Sequence, residues 1–216
     1  MFSEKNRSVV DKEMGLVVRY LGQVGYEQTW HDMQRFTDER TGASADELWV
    51  LQHPPVYTLG KNGKPEHVLN PQSIPVINVD RGGQVTYHGP GQIVIYTLLD
   101  LNRLKIGVRE LVTIIESAIV ELLADYGIEA NARRDAPGVY VDGAKIAALG
   151  LRVRRGCSFH GLAFNIDMDL DPFTRINPCG YEGLNVTQLK DFAQDMDIES
   201  VVDDLVRRLK KKLNYE

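Results

Sequence analysis

Arg81 to Gln92, RGGQVTYHGPGQ, sets four glycines, a proline, an arginine and a histidine between two apolar segments, the composition of a binding loop. Gly82 and Gly83 permit positive φ and close approach of the backbone to a ligand, and Gly89-Pro90-Gly91 forces a second reversal. The bland alternative is a glycine-rich hairpin in which His88 satisfies a buried backbone group. Of the two cysteines, Cys179 suits a nucleophile: in INPCG the proline and glycine define a tight turn that presents a sulfur and offers backbone N–H groups to an oxyanion. Cys157, in RRGCSFHG, stands at a strand entrance where packing suffices as a role. A thiol with an ordinary pKa of about 8.5 needs a base or cation beside it, and Lys145, His88 and His160 are the candidates. Lys145 precedes the apolar run IAALG, where a desolvated lysine can accept a proton; a lysine after a hairpin turn can equally point to solvent. His160, beside Gly161, also suits a satisfied core histidine.

These residues need a scaffold. Leu16 to Leu21 reads as a strand, and Tyr26, Trp30, Met33 and Phe36 give 23–40 helical spacing that Thr41-Gly42 stops. Short apolar runs at 48–51, 56–59, 76–79 and 93–99, punctuated by proline and glycine, read as strands. The polar KNGKPEHVLNPQS lies between them. A helix is expected over 108–126, with Val108, Leu111, Val112, Ile115, Ile119, Leu122 and Leu123 on one face and Gly127 beyond its end. Residues 138–155 read as a hairpin turning at Asp142-Gly143, followed by a strand over 158–166 and a turn-rich stretch over 167–184. A last helix, about 199–213, buries Ile198, Val201, Val202, Leu205, Val206 and Leu209, and its basic final turn complements the helix dipole.

The length fits one domain, 1–216, with 1–14 as a flexible N-terminal segment. A net charge of −5 argues against nucleic-acid binding as a global property, and no apolar run reaches bilayer length or marks a signal peptide, so a cytoplasmic protein is expected. Two distant cysteines make neither a disulfide framework nor a zinc ribbon. Cys157 and His160 lack a completing pair, so no metal is expected. The glycine loop runs into a strand, not a helix, and lacks GKS or GKT, which excludes a P-loop and a Rossmann fingerprint; GCSFHG is not a GxSxG elbow.

Taken together, RGGQVTYHGPGQ at 81–92, GVYVDGAKIAALGLRVRRGCSFHGLAFNID at 138–167 and INPCG at 176–180 resemble the lipoyl(octanoyl) transferases, in order and spacing, from the Leu48 region to about Gly183. The resemblance implies an α/β fold, a mixed central sheet flanked by helices as in biotin and lipoate protein ligases. It implies an acyltransferase that moves an octanoyl group from octanoyl-acyl carrier protein, through a cysteine thioester, to a lysine of lipoyl domains of 2-oxoacid dehydrogenase complexes and of the glycine cleavage H protein. Cys179 matches the acyl-accepting cysteine and Lys145 the lysine that lowers its pKa and serves as base. The acyl-binding positions map onto Arg81, Gly82, Gly83, Gln84, Val85, Thr86, Tyr87 and His88, onto Ala148, Leu149 and Gly150, and onto Gly161, Leu162 and Ala163. No cofactor is implied, in keeping with the missing nucleotide motifs, because a thioester donor is already activated.

The nearest rival is an ATP-dependent lipoate or biotin ligase on the same fold, against which Cys179 in INPCG and the absence of GRGRxxR both argue. A noncatalytic carrier-binding protein and a thioesterase are further alternatives. Arg103, Lys105, Arg109, Arg133, Arg134, Arg152, Arg154 and Arg155 are candidates for a basic rim that docks acidic carriers, with scattered solvated charge as the alternative.

Overall fold

The computed structural model describes residues 7–11, 15–180 and 183–215, with backbone alone for 7–11 and Cys179. In chain order the elements are β1 (Arg7–Asp11), β2 (Leu16–Gln23), α1 (Tyr26–Glu39), β3 (Asp46–Gln52), β4 (Val56–Leu59), β5 (Val76–Asn78), β6 (Val85–His88) and β7 (Gln92–Leu98). Then come α2 (Leu101–Leu104), α3 (Val108–Asp125), β8 (Asn131–Ala132), β9 (Gly138–Val141), β10 (Ala144–Arg154), β11 (Cys157–Asn165) and α4 (Ile198–Lys212). An eight-stranded sheet has the order β1-β2-β3-β7-β11-β10-β9-β8, and a three-stranded sheet the order β5-β4-β6. Both are mixed, with β2–β3 and β4–β5 parallel and the other pairs antiparallel.

Period-two alternation explains why the central strands are apolar throughout. Leu48 and Val50 of β3, with Ile93 and Ile95 of β7, face α3 and α4. Trp49 and Leu51, with Val94 and Tyr96, face α1. A one-residue slip would exchange the two faces, so burial on both sides pins the register that the site inherits. The stripe of α4 is Val201, Val202, Leu205, Val206 and Leu209, and truncating Leu205 to alanine should cost about 2–5 kcal/mol. The basic last turn of that helix does more than complement its dipole. Arg208 pairs with Asp125, and Lys212 Nζ lies 2.6 Å from Glu121, so the turn clamps α4 to α3.

Two expectations change. Val85–His88, read as part of a loop, is a strand of the small sheet, because its alternate residues Val85 and Tyr87 pack with Tyr57, Leu59 and Phe173. Within the expected N-terminal tail, Arg7–Asp11 pairs antiparallel with β2 as an edge strand. Asp142 and Gly143 adopt φ of 49° and 80°, the left-handed pair expected of a two-residue hairpin turn. Among the described residues no helix is long and apolar enough to cross a membrane.

Candidate active site

The β9–β10 hairpin sets the position of Lys145. Register shifts by one between Lys145 and Ala147, leaving Ile146 as the extra residue of a bulge, a device that re-aims side chains. Lys145 stays opposite Tyr140, and its ammonium lies 5.1 Å from the centre of that ring. It also donates to the carbonyl of Pro137 at 3.2 Å. The residue is only 4% exposed, in keeping with the desolvated reading. Behind it, the carboxylate of Glu116 on α3 accepts the N–H of Gly138 at 2.8 Å. Burial pushes the Glu116 carboxyl up, while the Gly138 bond and the nearby Lys145 charge pull it down.

Cys179 lies in the short 3-10 turn Pro178–Gly180; its side chain lies outside the described residues. The turn is anchored at both ends. Asn177 N–H donates to the His67 carbonyl at 2.8 Å, and Gly180 N–H closes back on Asn177 at 2.9 Å. Gly180 has φ +77°, and a Cβ there would come within 3.2 Å of the Gln84 side chain, so the turn abuts the glycine loop. Downstream, Lys145 N–H donates to Asn185 at 2.8 Å and Thr187 N–H donates to the Lys145 carbonyl at 3.0 Å. The chain leaving the cysteine turn is thereby stitched to the backbone of the lysine.

Between the two sheets runs a narrow slot of about 60 Å³, lined by Arg81, Gly83, Gln84, Val85, Thr86, His88, Ala148, Leu149, Gly150, Gly161, Leu162 and Ala163. Three distant segments meet there. Gly82 and Tyr87 do not line it: Gly82 donates its N–H to Leu151 at 3.0 Å, and Tyr87 turns away onto Tyr57 and Phe173. Tyr26, Val94, Tyr96 and His160 complete the walls. A wider groove of about 530 Å³, with Leu69, Phe173, Asn177, Pro178, Asn185 and Val186 among its lining residues, borders the cysteine turn.

Gly150 and Gly161 serve packing before anything else. A Cβ on Gly150 would lie 3.0 Å from Cδ of Arg81, whose guanidinium reaches over to donate to Thr58 O at 2.7 Å and Thr58 Oγ1 at 2.8 Å. A Cβ on Gly161 would collide with the carbonyl of Ile95 on the neighbouring strand.

The buried histidines are wired for neutrality. His53 hydrogen-bonds the Val24 carbonyl through Nδ1 at 2.8 Å, which makes Nε2 the acceptor for Tyr96 at 2.7 Å. Burial lowers His53 to about 4, and burial together with the His53 charge lowers His88 to about 3. His88 Nδ1 meets Gln92 at 2.7 Å, Gln92 donates to Asn165 at 2.9 Å, and Asn165 donates to the Thr187 carbonyl at 3.0 Å. This chain of bonds links the slot to the segment at Thr187 beside Lys145. Cys157 is buried at the start of β11, and desolvation raises its thiol pKa, which suits packing and not nucleophilic work. Of the candidate basic rim, Arg103 is held by Asp46 at 2.6 Å, Arg133 by Asp135 at 2.9 Å and Arg154 by Asp38 at 2.8 Å.

Sequence reasoning passed over Tyr26, Val94, Tyr96 and Glu116. The first three carry the same periodicity as core positions. Glu116 carried a usable signal, an acidic residue directly beside the apolar stripe of α3. No group of three or more metal-ligating side chains occurs among the described residues.

The chain has clear relatives among known proteins. Residues 25–210 match the lipoyl protein ligase A/B catalytic domain. Octanoyltransferase from Pseudomonas syringae pv. syringae (strain B728a) is 62% identical over 197 residues, covering 91% of this chain and 90% of that protein. Octanoyltransferase from Shewanella loihica (strain ATCC BAA-1088 / PV-4) is 58% identical over 205 residues, covering 95% and 94%. Among solved structures, lipoate-protein ligase A bound with ATP superposes with a TM-score of 0.72 at 16% identity, covering 92% of this chain and 85% of that one. Biotin protein ligase from Aquifex aeolicus, in complex with biotin and ATP, does so with a TM-score of 0.56 at 12% identity, covering 91% and 70%. The two ligases share the fold; family model and close relatives together make this chain a member of the lipoyl protein ligase A/B catalytic domain family and, within it, of the octanoyltransferases, acyltransferases of protein lipoylation.

Proposed function

We propose that the protein takes octanoyl groups from octanoyl-acyl carrier protein onto Cys179 and passes them to the lysine of lipoyl domains. The observation that carries this reading is the meeting of three parts: the cysteine-bearing turn abuts Gln84 at the slot, and the segment after it is hydrogen-bonded to the backbone of buried Lys145. The slot, narrow and walled by Val94, Leu149, Leu162 and Ala163, suits a straight acyl chain. The wider groove on the other side of the turn suits the arm of the carrier and then the incoming lysine.

In the first step the Cys179 sulfur attacks the thioester carbon, a new C–S bond forms and the carrier C–S bond breaks. The proton lost by Cys179 passes through Lys145 to the departing carrier thiolate. In the second step the acceptor amine attacks, the C–N bond forms, and Cys179 leaves as thiolate and regains a proton that Lys145 takes from the amine. Thioester to thioester is nearly isoenergetic and thioester to amide is downhill, so no nucleotide enters the balance. Pro137 O, the Tyr140 face and the Glu116 charge hold the Lys145 head group in place for both transfers. The test is intact-mass analysis after incubation with octanoyl-acyl carrier protein, then peptide mapping. An octanoyl adduct on the Cys179 peptide that disappears on adding a lipoyl domain is expected. Modification that requires free octanoate and ATP would instead mark a ligase.

A further inference from the structure

The slot runs across the strands of the large sheet. Ala148 of β10 pairs with Ala163 of β11, which pairs with Val94 of β7, and the next rung on the same face is Gly150, Gly161 and Tyr96. Four of these six residues are alanine or glycine, and their small size leaves the gap. The first rung begins at the lysine: Gly138 pairs with Ala148, and a Cβ on Gly138 would come 3.3 Å from Lys145 Nζ. With strands about 4.8 Å apart, β7 lies about 10 Å from β10, comparable to the reach of an extended eight-carbon chain.

At that far end stands Tyr26, the first residue of α1. Its ring lies 4.9 Å from that of His53, which follows β3, the strand beyond β7. It stacks on His88 with centroids 5.7 Å apart and planes 19° apart, and its hydroxyl bonds to Tyr96 and Thr58. Two wall residues of the slot, His88 and Tyr96, thus bracket the ring. The helix that carries it is pinned beside the slot, because the Asp80 carboxylate accepts from Trp30 Nε1 at 2.7 Å and Gln34 Nε2 at 3.3 Å on α1, and from His160 Nε2 at 2.9 Å on β11. Tyr26 also packs with Val56 and Val79 in a small apolar cluster that includes Trp30 and Ile77. None of those four lines the slot, so among the described residues Tyr26 alone belongs to both the slot and the cluster.

We propose that the Tyr26 ring ends the acyl slot and sets the upper limit on acyl chain length, so that shortening this one side chain lets longer chains run on into the apolar cluster. This rests on the reading of the slot as the acyl site. With the ring in place, methylenes beyond the far wall stay unburied or force the ring off His88. With a leucine there, the same methylenes gain Val56 and Val79 as neighbours and are buried.

The experiment follows acylation of the full chain by intact mass and compares the rate constants for N-acetylcysteamine thioesters of octanoate, decanoate and dodecanoate. In wild type the rate should fall about tenfold or more from octanoyl to dodecanoyl. In Tyr26→Leu the dodecanoyl-to-octanoyl ratio should rise about tenfold. In Tyr26→Phe, which keeps the ring and loses only the hydroxyl, the ratio should match wild type. A structural role alone would slow all three thioesters together and leave the ratio unmoved. Should melting show that Tyr26→Leu has lost its fold, Tyr26→Met, which retains more of the packing, gives the same reading. A ratio unchanged in the folded leucine or methionine variant overturns the inference, as does one that rises equally in Tyr26→Phe or a wild type that uses dodecanoyl as well as octanoyl. In each of those outcomes octanoyl acylation of wild type leaves the parent reading standing. Absence of acylation of wild type by octanoyl thioester overturns the slot as the acyl site, and this inference with it.

Discussion

Glu116 on α3 and Gly138 on β9 are joined by a 2.8 Å hydrogen bond in which the carboxylate accepts the backbone N–H. A helix on one face of the sheet thereby fixes the strand whose Tyr140 lies opposite Lys145, and places a negative charge near that lysine. Glu116→Ala leaves the N–H unsatisfied and should cost about 1–3 kcal/mol, read by urea denaturation. Glu116→Gln keeps an acceptor and removes the charge. Because burial raises the Glu116 carboxyl pKa, ionising it costs stability as pH rises through that raised value, so the advantage of Glu116→Gln over wild type should grow with pH. Loss of the neighbouring charge should also move the pH profile of Cys179 alkylation to lower pH, opposite to the shift expected of Lys145→Ala. If both Glu116 substitutions leave that profile in place, Glu116 is structural alone.

Lys145 is expected to control reactivity of the Cys179 thiol. Lys145→Ala should slow iodoacetamide alkylation near neutral pH and shift its profile upward; Lys145→Arg should fail to restore transfer, since arginine does not give up its proton. An alkylation profile unchanged in Lys145→Ala would remove the lysine from the mechanism.

The two cysteines should separate cleanly. Cys179→Ala is expected to abolish the octanoyl adduct in intact-mass spectra. Cys157→Ala, at a buried site with a raised thiol pKa, should retain it and cost about 1 kcal/mol in stability. An adduct mapping to Cys157 would reverse the assignment.

The glycines of the slot do not all report on the same thing. Gly150→Ala puts a Cβ 3.0 Å from Cδ of Arg81, a side-chain atom that has to give by only a few tenths of an ångström, so acyl transfer should fall while the melting temperature drops by only a few degrees. Gly161→Ala drives a Cβ into the Ile95 carbonyl and should lower soluble yield and melting temperature before it reveals anything about the acyl chain. Equal stability of the two variants would contradict this division.

Acid should destabilise the protein through its neutral histidines. His53 and His88 have folded pKa values of about 4 and about 3, below an ordinary value of about 6.5. Below pH 6.5 the unfolded chain therefore binds protons that the native state refuses, and stability present above that pH is lost as pH falls toward 4. Urea midpoints measured across this window should decline less steeply in His88→Gln than in wild type. Parallel curves would mean that His88 does not contribute to the slope.

Much of this architecture was legible from local signals. Short apolar runs marked β3, β7 and β11, the 3.6-residue spacing marked α1, α3 and α4, and Asp142-Gly143 marked its hairpin, because each depends on neighbours within a few positions. The grouping of RGGQVTYHGPGQ, the Lys145 hairpin and INPCG likewise singled out segments that the fold brings together. What tertiary structure alone decided is which atoms meet. That Gly150 exists to seat the stem of Arg81, that Tyr87 leaves the slot while Thr86 and His88 stay, that Glu116 reaches Gly138 and that His160 hangs from Asp80 are consequences of strand register and of faces covered from both sides. A sequence carries the periodicity of each strand but not its offset from its neighbours, and that offset is fixed only when both faces of the sheet are buried at once.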